Sequence, residues 1–193
     1  MTERSYYPEC PLARGLSLFE FMITLALAAL LIAAGAPALS TYLQDQRMTA
    51  EINRIVSHLH LARTVAISRR ASVIMCASET QRDCVDQAPR GADWGRGWIL
   101  FVDTNDNGER DAAEPLLRTR PAVNRNLAVR FNQAGAVQYR STGEARSGRF
   151  TLCDRRGAQF ARSVILYWTG RPRTIRESGG RFAHACARPP PAT

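Results

Sequence analysis

The feature that most constrains this chain is an apolar run from Phe21 to Leu39 headed by a single acid, Glu20, with Thr24 its first side-chain hydroxyl. At about 1.5 Å per helical residue, such a run is just long enough to cross a bilayer. A carboxylate at the head of an apolar segment is costly in lipid and calls for a partner or a function. Paired with the terminal amine of a neighbouring subunit, Glu20 would be neutralised and would act as an assembly device. A cleaved secretory signal fits worse, because its apolar core should be shorter and end at a small-residue cut site.

Beyond Leu39 the pattern becomes amphipathic. Ile52, Ile55, Val56, Leu59, Ala62, Val65 and Ala66 recur at helical steps between charged residues, and neither Gly nor Pro interrupts residues 38–70. One helix is expected from Leu18 to about Arg69, bent near Pro37, where a backbone donor is missing. The organisation follows: a leader at 1–15, a transmembrane and assembly helix at 16–39, its amphipathic continuation at 40–70, a β-rich head at 71–177 and a tail at 178–193. Strands are expected at Ser72–Cys76, Gly97–Val102, Leu116–Thr119, Leu127–Asn132, Ala136–Tyr139, Arg149–Cys153, Ser163–Trp168 and Arg173–Arg176. The fold class is α+β, a long helix packed on an antiparallel head. His58 and His60, two apart, do not share a helix face and are not read as a metal pair.

Cys10 falls in the leader, leaving Cys76, Cys84, Cys153 and Cys186. An even count in an exported head reads as two disulfides with three alternative pairings. Cys76–Cys84, closing a local loop, and Cys153–Cys186, stapling the tail, are the favoured pair. Zinc is the competing reading, but the spacings lack a C-x-x-C element.

The leader, the Gly15-Leu16 junction, Glu20 at the fifth position after it, and Pro37 resemble the N-terminus of type IV pilins and type II secretion pseudopilins. The resemblance implies cleavage after Gly15 by a prepilin peptidase, methylation of the new N-terminus at Leu16, and an assembly role for Glu20 and Pro37. It also implies an inner-membrane protein with a periplasmic head and other minor and major pilins as partners. The order of helix and strands, with Trp94-Gly-Arg-Gly-Trp98, Asn107-Gly108 to Glu114 and Gly170-Arg-Pro-Arg173, is similar to the GspH/FimT group of minor pilins and pseudopilins.

Two motifs could carry chemistry. Asp103, Asn105, Asn107, Gly108 and Glu114 match the calcium-loop pattern D-x-[DN]-x-[DN]-G-x5-E. A structural calcium ion is one expectation, and a turn closed by its own Asx side chains is the other. The second motif lies in the most basic region. The formal charge is +9 with no lysine, and from Asp154 onward eight arginines face only two acids. Pro172 favours an extended chain there. Residues two apart then point the same way, so Arg171 and Arg173 should present both guanidiniums on one side. Arg176, Arg181, Arg155 and Arg156 are further candidates, and Tyr167 and Trp168 lie near enough to stack. In FimT-like pilins a G-R-x-R motif is associated with DNA binding in natural transformation, and Gly170, Arg171 and Arg173 match it. A solvated basic strand end is the plainer reading.

The sequence suggests no catalytic constellation, so the expectation is a minor pilin that receives DNA non-specifically. The alternative is an H-type minor pseudopilin of type II secretion without DNA binding.

Overall fold

The computed structural model describes residues 17–85, 88–176 and Cys186. It divides into two compact units, one ending at Leu43 and one beginning at Gln44. Helix α1 (Leu18–Arg69) contributes to both.

In the first unit Ser17 caps α1: its Oγ accepts the Glu20 amide at 3.2 Å, leaving one fewer orphan donor at the helix start. Thr24 donates to the Phe21 carbonyl at 2.8 Å, so its hydroxyl is satisfied within the helix. Ser40 and Thr41 both donate to the carbonyl of Pro37. All described side chains up to Leu43 are exposed, among them Phe19, Phe21, Leu30, Leu31 and Ile32. By length and composition this helix could cross a membrane. So large an uncovered apolar surface marks an interaction face.

In the second unit α1 buries Met48, Ile52, Ile55, Leu59, Ala62 and Ala66, a stripe at alternating four- and three-residue steps. Among the described residues eight strands follow: β1 (Ser72–Ala77), β2 (Gly97–Asp103), β3 (Leu116–Pro121), β4 (Leu127–Phe131), β5 (Val137–Tyr139), β6 (Gly148–Asp154), β7 (Arg162–Leu166) and β8 (Pro172–Arg176). They form two four-stranded sheets, ordered β3-β2-β1-β5 and β4-β6-β7-β8. All pairings are antiparallel.

Alternate residues of both sheets meet the helix stripe in one core: Val73 and Met75 of β1, Trp98 and Leu100 of β2, Val129 and Phe131 of β4, Phe150 and Leu152 of β6, Val164 and Leu166 of β7. Trp94 lies against Phe131 and Phe150, at ring-centroid distances of 5.4 and 5.0 Å, and those two rings stack at 4.5 Å. Ile74, Cys76, Ile99 and Phe101 form a second, smaller cluster. Because β1 and β2 are buried on both faces, they read as continuous apolar runs rather than alternating ones. Gly97 starts β2 at φ +127, with carbonyl oxygens of Arg120 and Ser78 where a side chain would stand. That explains the glycine between two fully buried tryptophans.

The structure pairs Cys76 with Cys84 and Cys153 with Cys186, at Cα separations of 5.5 and 5.6 Å. Helix and strands follow the expected order, but the strands separate into two sheets. The largest boundary differences are two residues: β3 runs on to Pro121 rather than Thr119, and β7 ends at Leu166 rather than Trp168, where Gly170 and Tyr167 close a turn.

Candidate functional site

The β7–β8 hairpin presents the Gly170-Arg171-Pro172-Arg173 motif. Its turn is closed by the Gly170 amide on the Tyr167 carbonyl (2.9 Å) and the Tyr167 amide on the Arg171 carbonyl (3.3 Å). The turn is also fixed to the β5–β6 connection. The Ala145 amide donates to the Trp168 carbonyl at 3.0 Å, and the Tyr139 hydroxyl donates to the Gly170 carbonyl at 3.1 Å. Burial pushes the Tyr139 phenol above its ordinary range, which keeps it a proton donor. Gly170 sits at φ +72, and a Cβ there would run into the Gly143 carbonyl. The motif's glycine is therefore dictated by packing as well as by dihedral angle.

Register sets the direction of the arginines. Pro172 pairs with Leu166 and Thr174 with Val164, whereas Arg173 pairs with Ile165. Directly opposed residues share a face. Leu166 and Val164 point into the core, so Arg173, and Arg171 two residues before it, project from the opposite face. Both are exposed, and neither makes an ion pair or side-chain hydrogen bond with the described residues. β8 is an edge strand, and Pro172 at its first position costs the sheet no ladder bond.

The other arginines do not join this pair. Arg176 opposes Arg162 and so lies on the other face of β8. Arg155 and Arg156 sit in the β6–β7 connection, at the opposite end of the sheet from the hairpin turn. Arg155 is exposed beside a cavity of about 150 Å³ shared with Arg47 and Asn124. Arg156 is taken up structurally. It donates to Asp154 at 2.6 Å and to Asp45 at 2.9 Å, and its guanidinium lies 4.4 Å from the Phe160 ring centre. Arg162 reaches Thr49 at 2.6 Å and Asp45 at 3.3 Å. The hydrogen bond from Arg156 holds the Asp45 carboxyl below its usual range, and those to Asp154 and Asp45 hold the guanidinium pKa up. This network fastens α1 to the second sheet. Arg181 lies outside the described residues, as do Gly15 and Leu16.

The β2–β3 connection holds the calcium-loop motif. Asp103 accepts the amides of Asn107 (3.2 Å) and Gly108 (2.9 Å), and Glu114 accepts those of Thr104 (2.7 Å) and Asp111 (3.1 Å). The Asn105 and Asn107 amide groups both donate to Asp111. The Asp103 and Glu114 carboxylates thus close the backbone of this loop. Among the described residues no group of three His, Cys, Asp or Glu is disposed to hold a metal.

Sequence reading missed the buried partners of two polar residues of α1, Glu51 and the His58 that it considered only as half of a metal pair. Glu51 is gripped by Arg120 through two hydrogen bonds of 2.5 and 3.2 Å. His58 Nδ1 accepts the Trp98 indole N–H at 2.9 Å. Burial first, then the guanidiniums of Arg54, Arg118 and Arg120, lower the His58 pKa to about 4, so it remains a neutral acceptor. Their spacing within the apolar stripe was the available signal.

A family model described as type II transport protein GspH matches residues 51–170. The chain belongs to the GspH family. The matched segment starts within the buried stripe of α1 and ends at Gly170, directly before Arg171. Among solved structures, the type IV minor pilin FimU of Pseudomonas aeruginosa shares the fold in two crystal forms. One has TM-score 0.53 and 16% identity over 69% of this chain and 92% of that chain. The other has TM-score 0.50 and 17% identity over 66% and 91%. The minor pseudopilin EpsH of the Vibrio cholerae type 2 secretion system matches at TM-score 0.48 and 13% identity, over 67% and 97%. No curated protein sequence matches the chain. This chain is thus a GspH-family protein with the fold that the minor pilin FimU also has.

Proposed function

We propose that the chain is a minor pilin of a type IV pilus tip or initiation complex that receives DNA through the β7–β8 hairpin. The N-terminal part of this reading is that a prepilin peptidase cuts after Gly15. The apolar helix then holds the protein in the inner membrane, and Glu20 accepts the terminal amine of a neighbouring subunit during assembly. The exposed apolar side chains of residues 18–43 support it. Gly15→Val, expressed beside a prepilin peptidase, accumulates as the longer uncut chain on immunoblots; processing at the wild-type rate would remove this part of the reading.

The observation that carries DNA reception is the pair Arg171 and Arg173, exposed on one face of an edge strand whose turn is fixed by Gly170. Two guanidiniums in an extended strand, without an ion-pair partner among the described residues, suit successive phosphates, and such binding is salt-dependent and indifferent to sequence. The test is fluorescence anisotropy of a short labelled duplex with the full chain in detergent. Wild type binds and weakens steeply as salt rises, and Arg171→Ala/Arg173→Ala binds at least about tenfold more weakly, as loss of two phosphate contacts predicts. No binding by wild type at low salt would leave the secretion pseudopilin reading, which the description of the matching family model favours.

A further inference from the structure

Beside the hairpin turn lies a cavity of about 460 Å³ that the DNA-receiving reading does not use. Trp168 forms one wall; Gln138, Arg140, Glu144 and Arg146 contribute to the rest. The volume falls within the roughly 300–1,000 Å³ of small-molecule sites. Trp168 is 64% exposed. Its backbone is nevertheless held, through the Ala145 amide and the closed turn, so the indole offers a face from a fixed position. Arg140 and Arg146 are exposed and make no side-chain hydrogen bond or ion pair with the described residues. The acid among them, Glu144, accepts the Thr142 hydroxyl at 3.3 Å instead.

An indole face with guanidiniums beside it suits one chemistry, a flat π-system attached to phosphate. Inside a duplex both faces of each base are covered by neighbours, so only an unpaired base can stack on a side chain. We propose that this cavity is a subsite for an unpaired nucleobase of single-stranded DNA. The base stacks on Trp168, its phosphates lie toward Arg140 and Arg146, and the strand continues onto Arg171 and Arg173. This rests on the DNA-receiving reading and gives it a substrate class: the protein prefers single strands and unpaired ends to blunt duplex.

The test compares anisotropy of a labelled 12-nucleotide oligothymidine with that of a blunt 12-base-pair duplex, using the full chain in detergent. Wild type favours the single strand, and oligothymidine quenches tryptophan emission. Trp168→Ala reduces the ratio of single-strand to duplex affinity about tenfold, the size of one base–aromatic stack. Trp168→Phe, which keeps an aromatic face, restores most of the ratio and controls for folding. An unchanged ratio in Trp168→Ala, with duplex binding still lost in Arg171→Ala/Arg173→Ala, overturns the base subsite and leaves DNA reception standing. Absence of binding to either probe overturns both.

Discussion

Gly170→Ala lowers the stability of the head by roughly 3 kcal/mol, well beyond what its dihedral angle alone would cost. Two costs combine. Gly170 has φ +72, a left-handed conformation that costs an L-residue about 1–2 kcal/mol. The new methyl would also meet the Gly143 carbonyl and lie 2.9 Å from Tyr139 Cε1, a contact with a backbone atom and a buried ring that cannot simply swing aside. Gly135 provides the comparison: its φ is +76, but nothing lies within 4 Å of a Cβ built there. Gly135→Ala should therefore show the dihedral cost alone, about 1 kcal/mol. Chemical denaturation of both variants separates the terms. Equal losses would mean that the β7–β8 turn does not press on the β5–β6 connection. The larger loss for Gly170 would show that the glycine of the arginine motif has a packing role, apart from any ligand.

The helix was legible because its signals agree along its length: an apolar run, then a stripe at helical steps, with no breaker between Ala38 and Arg70. Its observed limits, Leu18 and Arg69, are the expected ones. Strand positions were legible from short apolar runs between turns, but their division between two sheets was not. Pairing is a property of distant segments, and β1 beside β5 leaves no local trace. The arginines show the same limit. Arg171 and Arg173 could be placed on one face because two-residue alternation is local. That Arg156 is tied to Asp45, 111 residues earlier, could not be read locally. The wall facing Trp168 was hidden for the same reason: Arg140 and Arg146 flank what reads only as a glycine turn.

The helix is held on the head by an ionic contact to each sheet, Asp45 to Arg156 and Arg162 of the second, Glu51 to Arg120 of the first. The two differ in exposure. The Asp45 side chain is 44% exposed, so water screens that cluster and its removal costs little. Glu51 and Arg120 are only 12% and 14% exposed. Glu51→Ala leaves the largely enclosed Arg120 guanidinium without its carboxylate, and Arg54, 3.6 Å from the same carboxylate, adds a second unbalanced charge. Breaking such a pair from one side costs about 3–5 kcal/mol; the lower end applies here, because β3 is an edge strand from which Arg120 can turn toward water. Glu51→Met/Arg120→Met should recover most of the loss, since removing both charges removes the desolvation cost along with the attraction. Urea denaturation of the two single variants and the double variant measures the coupling. If Glu51→Ala is as stable as wild type, the α1–β3 contact contributes no net stability, and the apolar stripe alone seats the helix on the head.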